Sequence, residues 1–252
     1  MIKVNNLVKK YGNDITALNS VSFEVQKGEV CGYIGVNGAG KSTTVKVLTG
    51  SLEFDAGEVE VCGLKLPEKS LELKKILGYV PETANLFASL KVNEFFEFIG
   101  DVYRITKHTR DRRVKYFSEL FDFNEYLKES IGILSKGNRQ KVLITSSVLH
   151  NPDILFLDEP HNGLDANSII IFQDMIAALA SKGKTIFYCS HLLDLIEKIS
   201  TKIIIIEKGG IILDKTSREL KESENYTNLE TLFSGLNTDK ETKKFSYEEI
   251  FS

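Results

Sequence analysis

Long hydrophobic runs are missing from this chain of 252 residues. The densest apolar stretch, Ile203–Ile206, stops at Glu207, whereas a membrane-spanning helix needs about 20 apolar residues. The opening sequence MIKVNNLVKK also lacks the apolar segment of a secretory signal peptide. We therefore expect a cytoplasmic protein that forms no path through a bilayer by itself.

Cysteine and excess charge are scarce as well. The three cysteines lie far apart along the chain, which favours reduced thiols over a disulfide framework or a metal-binding motif. The net charge of −3 provides no basic field for nucleic acid. The one local basic group is typical of a solvated helix face: Arg110, Arg112, Arg113 and Lys115. We therefore expect no nucleic-acid partner.

Strands and helices alternate along most of the sequence. Apolar and polar residues alternate in four segments, which predicts strands: Ile2–Val8, Val21–Val25, Val30–Ile34 and Glu58–Val61. A later group of buried strands alternates with helices over 167–181 and 191–199: Ile154–Leu157, Thr185–Cys189 and Lys202–Ile206. Such alternation implies right-handed crossovers and a mostly parallel sheet, the arrangement of an α/β protein.

The middle and the end of the chain differ from this pattern. Ten of the 24 aromatic residues lie in the 40 residues between Phe87 and Tyr126, at spacings that favour helices. We therefore predict a helical insertion at about 87–150, preceded by a helix over Ser70–Leu77. After Lys221 the composition turns polar, which predicts a weakly ordered tail over 221–252.

A glycine-rich loop follows the strand Val30–Ile34. Its sequence Gly-Val-Asn-Gly-Ala-Gly-Lys-Ser, from Gly35 to Ser42, fits the phosphate-loop pattern G-x4-G-K-[ST]. Glycines let backbone N–H groups converge on phosphate oxygens at the start of a helix. Lys41 can reach the β- and γ-phosphates, and the Ser42 hydroxyl can coordinate Mg²⁺. This pattern predicts a nucleoside triphosphate site.

Two carboxylates end the buried strand that begins at Ile154. Asp158 can hold Mg²⁺, and Glu159 can orient and deprotonate an attacking water. Two acids after a strand are otherwise a common entry to a loop, so this interpretation depends on the phosphate loop. His191 follows the strand Thr185–Cys189 and is either a surface or capping residue, or a group near the γ-phosphate.

These motifs resemble, in order over about residues 1–220, the ATP-binding subunits of ABC transporters. Gly35–Ser42 resembles the Walker A loop of that family, and Ile154–Glu159 resembles its Walker B strand with the catalytic glutamate. Leu134–Gln140 resembles the LSGGQ signature, which is the most specific of the family's motifs. Asn162–Asp165 resembles the D-loop, and His191 the switch histidine.

The resemblance implies a RecA-like P-loop NTPase fold over residues 1–220. This fold has a mostly parallel core, an N-terminal antiparallel β subdomain and an inserted α-helical subdomain. It also implies a catalytic pair, Glu159 and His191, and Mg²⁺ ligands, Ser42, Asp158 and Glu82. The implied ATP-binding residues are Tyr11 (against adenine), Gly35, Asn37, Gly38, Ala39, Gly40, Lys41, Ser42, Thr43, Ser135 and Gly137.

The implied partners are a second copy of the chain and a separate membrane-spanning permease. In the family, the serine and glycine of the signature contact the γ-phosphate held by the opposite subunit, so two ATP molecules lie in a homodimer interface. Ser135 could otherwise be a plain helix cap. The protein would then work at the inner face of the cell membrane. The segment Gly78–Glu82 resembles a subgroup of exporters, which favours export.

Four residues depart from the family pattern. Glu82 stands where many members have glutamine, Lys136 and Asn138 replace a glycine and a glutamine of the signature, and His161 stands where Thr or Ser is usual. A carboxylate at Glu82 can still coordinate Mg²⁺, and Gly137 keeps the signature open to phosphate. The residues assign no role to His161.

Two other functions fit the sequence less well than transport. A soluble ABC ATPase that acts on nucleic acid or ribosomes usually has tandem ATPase domains or a long coiled coil, and neither is evident. A regulatory sensor without turnover is disfavoured because Glu159 is present. For transport, we expect the docking surface for the membrane subunit around Ala84–Phe98, with Phe87 exposed in a loop.

Overall fold

The computed structural model describes residues 1–12, 15–224 and 226–236. Its strands are, in chain order, β1 (Ile2–Tyr11), β2 (Ile15–Val25), β3 (Val30–Ile34), β4 (Ala56–Val61), β5 (Leu64–Leu66), β6 (Leu77–Val80), β7 (Ile154–Asp158), β8 (Thr185–Cys189), β9 (Lys202–Glu207) and β10 (Gly210–Thr216). They form two sheets.

Helices cover both faces of the larger sheet and fill the interval between β6 and β7. They are α1 (Lys41–Leu48), α2 (Ser70–Lys74), α3 (Val92–Val102), α4 (Lys107–Leu120), α5 (Lys136–Val148), α6 (Ala166–Ser181), α7 (Leu193–Ile199), α8 (Ser217–Lys221) and α9 (Leu229–Leu236). Two short 3₁₀ turns, Asn124–Lys128 and Ile131–Ile133, precede α5.

The larger sheet has six strands in the order β10-β9-β3-β8-β7-β6. All its pairings are parallel except that of β9 with β10. Because β3, β7 and β8 are neighbours and parallel, their carboxyl ends meet at one edge, where sheets of this type bind ligands. The predicted α/β fold with a mostly parallel core is confirmed.

The smaller sheet is antiparallel, with the strand order β2-β1-β4-β5. Alternate residues of the parallel strands face it: Tyr33 of β3 and Phe187 of β8 are fully buried, with ring centroids 4.9 Å apart, and Phe23 of β2 packs on both. The intervening residues, such as Ile34, face a second core that the helices α3 to α7 share. The predicted antiparallel N-terminal subdomain is therefore present.

The helical insertion has its own aromatic centre. Phe96 of α3 packs near Phe123, and both side chains are buried. Arg110 of α4 is also buried, and it pairs with the carboxylates of Glu97 (3.5 Å) and Asp111 (2.8 Å). The expectation of a solvated basic face on this helix was wrong for Arg110, because its side chain is only 10% exposed and pairs with these two carboxylates.

Two further expectations need correction, and three strands were missed. The predicted helix Ser70–Leu77 ends at Lys74, because Leu77 pairs with Ile154 as the first residue of β6. Strands β5, β6 and β10 were not predicted. The expectation of a weakly ordered tail was wrong for α9, because its first residue Leu229 is fully buried and donates its N–H to Glu197 of α7 (2.9 Å). Residues 237–252 lie outside the described residues.

Candidate functional site

The glycine-rich loop connects β3 with α1 and surrounds a cavity of about 300 Å³. Gly40 has a φ of +114°, and a Cβ there would lie 2.7 Å from the backbone oxygen of Ala17, so only glycine fits. The helix α1 begins at the next residue, which directs its first N–H groups into the loop. The loop is therefore built to receive an anion.

Lys41 is the cation of this loop. Its side chain is buried, and Nζ donates hydrogen bonds to the carbonyl oxygens of Gly35 (2.7 Å) and Val36 (3.3 Å). These acceptors are neutral carbonyls, so the ammonium charge remains available to an anionic ligand. Beside it, the hydroxyls of Thr43 and Tyr11 lie 3.4 Å apart, which places the tyrosine at the rim of the same loop.

Carboxylates line the opposite wall of the cavity. Asp158 at the end of β7 is buried, which raises its pKa, while a hydrogen bond with Ser42 opposes that shift. Its Oδ1 has no hydrogen-bond partner among the described residues. Glu82, just after β6, lines the same cavity. The donors Ser42, Asp158 and Glu82 are all oxygens, the set that Mg²⁺ prefers, so these residues fit that ion.

Glu159 turns the chain sharply at the end of β7. Its φ of +49° is left-handed, a conformation that is uncommon for a non-glycine residue, and its N–H donates to the carbonyl of Cys189 on β8 (2.9 Å). The buried carboxylate lies between two imidazoles: Oε1 is 2.9 Å from Nδ1 of His191, and Oε2 is 3.4 Å from Nε2 of His161. The structure thus brings Glu159 and His191 together.

His191 lies in the segment between β8 and α7 and is largely exposed. Together with Glu159, it lines a second cavity of about 360 Å³. Asn37, Glu82 and Glu159 line both cavities, so the two are adjacent. A group held by the phosphate loop can therefore be reached from the Glu159 and His191 side.

His161 is the residue to which the sequence assigned no role. It is buried, and burial lowers its pKa. Its Nδ1 lies 3.2 Å from the hydroxyl oxygen of Tyr188 on β8. In the sequence, His161 is distinguished only by its position three residues after Asp158. Its contact with Glu159 depends on the left-handed backbone conformation of Glu159.

No residue of the segment 134–140 lines the cavity of the phosphate loop in the described part of the chain. Ser135 caps α5 by accepting a hydrogen bond from the N–H of Asn138 (3.1 Å), and it lines a separate cavity. A Cβ on Gly137 would lie 2.6 Å from the carbonyl oxygen of Gly163, so the start of α5 packs closely on the loop after β7. Within one chain, Ser135 and Gly137 are therefore not brought together with the other candidate site residues.

The loop after β7 is fixed to α5 by polar contacts. Gln140 Nε2 donates to the carbonyl oxygen of Pro160 (2.8 Å), and Lys141 Nζ lies 3.2 Å from the carboxylate of Asp165. Asp165 also caps α6 by accepting from the N–H and hydroxyl of Ser168, and these bonds lower its pKa to about 2. These contacts connect α5 to the segment that carries Glu159.

A phosphate loop at the start of α1 and acidic residues at the end of a neighbouring parallel strand define a P-loop nucleotide-binding ATPase. Residues 18–162 match the protein-family model described as ABC transporter. The chain belongs to the ABC transporter family, as an ATP-binding subunit with ATPase activity. Within the described ranges, every helix falls short of the length and apolar character needed to cross a membrane.

Several known proteins are similar along most of the chain. An ABC transporter ATP-binding protein of Methanocaldococcus jannaschii is 39% identical over 211 residues, which are 84% of this chain and 76% of that protein. The Nod factor export ATP-binding protein I of Burkholderia lata is 31% identical over 223 residues, covering 88% of this chain and 73% of that protein.

Two solved structures are similar in fold. One is described as the ATP-binding subunit of an ABC transporter: its TM-score is 0.88 at 27% identity, covering 94% of this chain and 99% of that one. The other is described as the dimeric structure of a bacterial ABC transporter cassette: its TM-score is 0.77 at 25% identity, covering 86% of this chain and 99% of that one.

Proposed function

We propose that this subunit powers export through a separate membrane-spanning partner, and that two copies of it close around two ATP molecules. The observation that carries this proposal is the separation of the site within one chain. Ser135 lines a separate cavity, and Gly137 packs on the loop after β7. Neither residue lines the cavity of the phosphate loop. A second copy of the chain can supply them to the ATP held by the first.

Binding of ATP is assigned to the residues around the phosphate loop. The aromatic ring of Tyr11, 41% exposed beside the loop, offers a face for adenine. The backbone N–H groups from Gly38 to Thr43 surround the phosphates, with Gly35 and Asn37 at the loop entrance. The ammonium group of Lys41 compensates the charge of the β- and γ-phosphates.

Ser42, Asp158 and Glu82 would hold Mg²⁺ beside the phosphates. When bound, the ion neutralises part of the phosphate charge. The buried Oδ1 of Asp158, which has no hydrogen-bond partner among the described residues, supports this assignment. Burial of that carboxylate is costly unless a cation or a donor accompanies it.

Hydrolysis is assigned to Glu159 and His191. The Glu159 carboxylate orients the attacking water and accepts its proton. His191, within 2.9 Å of that carboxylate, holds it in position and contacts the γ-phosphate from the second cavity. In this scheme Asp165 and Gln140 connect the hydrolysis segment to α5, which carries the contacts to the opposite ATP.

An apolar pair on the helical insertion supports a membrane partner. Phe87 and Phe98 are 58% and 46% exposed, with ring centroids 5.8 Å apart, whereas their neighbours Phe95 and Phe96 are buried. Two adjacent exposed rings suit contact with a protein surface. The name of the Burkholderia relative, an export protein, favours export.

The proposal predicts a multi-spanning membrane protein encoded next to this chain, and it can be tested with that partner. Inverted membrane vesicles that contain both proteins should accumulate the transported compound when ATP is added outside, and vesicles with Glu159→Gln should not. ATP-driven loss of the compound from these vesicles would contradict export. Full ATPase activity from a chain that remains monomeric would contradict the dimeric site.

A further inference from the structure

Beside the catalytic carboxylate, two buried polar atoms face each other without hydrogen-bond partners among the described residues. They are Oε2 of Glu159 and Nε2 of His161, 3.4 Å apart, and their side chains are only 8% and 6% exposed. Burying a carboxylate and an imidazole nitrogen without such bonds is costly. This arrangement is explained if a ligand between or beside them satisfies both atoms.

We propose that Glu159, His161 and His191 form a binding site for a divalent transition-metal ion, separate from the Mg²⁺ position beside Asp158. One donor atom from each of the three residues lies within 4.8 Å of the others. Tetrahedral ligands of Zn²⁺, at about 2.0 to 2.2 Å from the ion, are roughly 3.3 to 3.5 Å apart. The buried pair already has this spacing.

His191 can complete the site with a small movement. It is exposed and lies between β8 and α7, so its ring can rotate toward the buried pair. The fourth coordination position would face the cavity of about 360 Å³ that Glu159 and His191 line, where a water molecule fits. Two imidazoles and one carboxylate favour Zn²⁺ and similar ions over Mg²⁺, which prefers oxygen ligands.

Tyr188 supplies the outer contact that such a site requires. Its hydroxyl lies 3.2 Å from Nδ1 of His161. When Nδ1 carries the proton, it donates a hydrogen bond to that oxygen, and the lone pair of Nε2 is directed at Glu159. An outer hydrogen bond of this kind orients metal-bound histidines and raises their affinity.

Occupation of this site would prevent hydrolysis. A metal-bound Glu159 carboxylate cannot accept a proton from water, and a metal-bound His191 cannot contact the γ-phosphate. The ion would therefore act as an inhibitor that leaves the phosphate loop free, so nucleotide could remain bound.

Calorimetric titration of the nucleotide-free, full-length protein with Zn²⁺ tests the proposal directly. A Cys62→Ser background removes the half-exposed thiol as a competing ligand. We expect one ion per chain, with affinity about tenfold or more weaker in His161→Thr and an intermediate loss in Tyr188→Phe. His108→Asn, which removes an exposed imidazole of α4, should bind as the parent does.

Two further measurements distinguish the outcomes. With Co²⁺ as the probe, the parent should show the visible absorption of a tetrahedral site, and His161→Thr should not. Addition of Zn²⁺ should lower the ATPase activity of the parent by a larger factor than that of His161→Thr. Equal Zn²⁺ affinity in the parent and His161→Thr, or no binding by the parent, would overturn the proposal, even if His161→Thr hydrolyses ATP more slowly.

Discussion

The carboxylate of Glu159 and the imidazole of His191 meet across the ends of two neighbouring strands, with Oε1 and Nδ1 2.9 Å apart. The first residue follows β7 and the second lies two positions beyond β8. Because β7 and β8 are parallel and in register from Ile154 and Thr185 onward, the carboxyl ends bring both side chains to the same place.

Glu159→Gln should separate ATP binding from hydrolysis. The amide keeps the size of the carboxylate but cannot accept the proton, so turnover should fall by about 10² or more while ATP still binds. The uncleaved nucleotide should hold two chains together, which size-exclusion chromatography with Mg-ATP can measure. Glu119→Gln, at an exposed position of α4, is the matched control and should hydrolyse ATP normally. A Glu159→Gln protein that stays monomeric at saturating ATP would count against the two-ATP interface.

His191→Ala should impair turnover more than ATP affinity. The imidazole lies 2.9 Å from the carboxylate of Glu159 and lines the second cavity, so under the proposed mechanism its loss should lower kcat by about 10² and leave the dissociation constant of ATP within about threefold. Single-turnover hydrolysis and equilibrium binding of a fluorescent ATP analogue measure the two quantities. An equal loss of kcat and of ATP affinity would mean that His191 only supports the end of β8.

Lys41→Ala should weaken ATP binding. Its ammonium group is the buried cation of the phosphate loop, and charge-assisted hydrogen bonds contribute about 1.5 to 3 kcal/mol, which corresponds to roughly 10- to 100-fold in affinity. Lys46→Ala removes an exposed lysine from the same helix and should bind ATP as before. Unchanged ATP binding by Lys41→Ala would show that the phosphate-loop assignment is incorrect.

The sequence predicted the local parts of this site and missed the parts that depend on distant contacts. The phosphate loop is encoded in eight consecutive residues from Gly35, so its backbone could be predicted. The contact of His161 with Glu159 depends on a left-handed turn and on Tyr188 of another strand, and no short motif carries that information. Likewise, the order of α9 depends on the burial of Leu229 and its bond to Glu197, which composition does not reveal.

Stability should depend on His150 between about pH 6.5 and pH 4. This residue stacks on Tyr103 (ring centroids 3.7 Å apart), and its Nε2 lies 2.9 Å from the carbonyl oxygen of Leu77. Burial lowers its pKa to about 4, with the charges of Arg113 and Lys184 as smaller causes. As the pH falls, His150 is protonated in the unfolded chain before it is protonated in the folded protein. Its contribution to stability is therefore complete above about pH 6.5 and is lost as the pH falls toward 4.

Urea unfolding at pH 7 and pH 5 can measure this effect. The His150→Gln variant should have a lower free energy of unfolding at pH 7, since the stacking on Tyr103 is lost. Its decline between the two pH values should be shallower than that of the parent, because the carboxylates titrate in both proteins and cancel in the comparison. An equal decrease in the free energy of unfolding from pH 7 to pH 5 in the parent and in His150→Gln would contradict the role of His150.

Phe87→Asp should weaken docking to the membrane subunit while basal ATP hydrolysis continues. Phe87 is 58% exposed in the segment before α3, and its ring contacts Phe98 at a centroid distance of 5.8 Å, so a carboxylate there can remain hydrated. In a complex, the same carboxylate would be buried against an apolar surface, which is costly.

Tyr116→Asp is the control, because Tyr116 is a 62% exposed aromatic residue on α4. We expect co-purification with the membrane subunit to fall for Phe87→Asp and to persist for Tyr116→Asp, with equal ATPase rates for the isolated proteins. Normal co-purification and transport by Phe87→Asp would place the docking surface elsewhere.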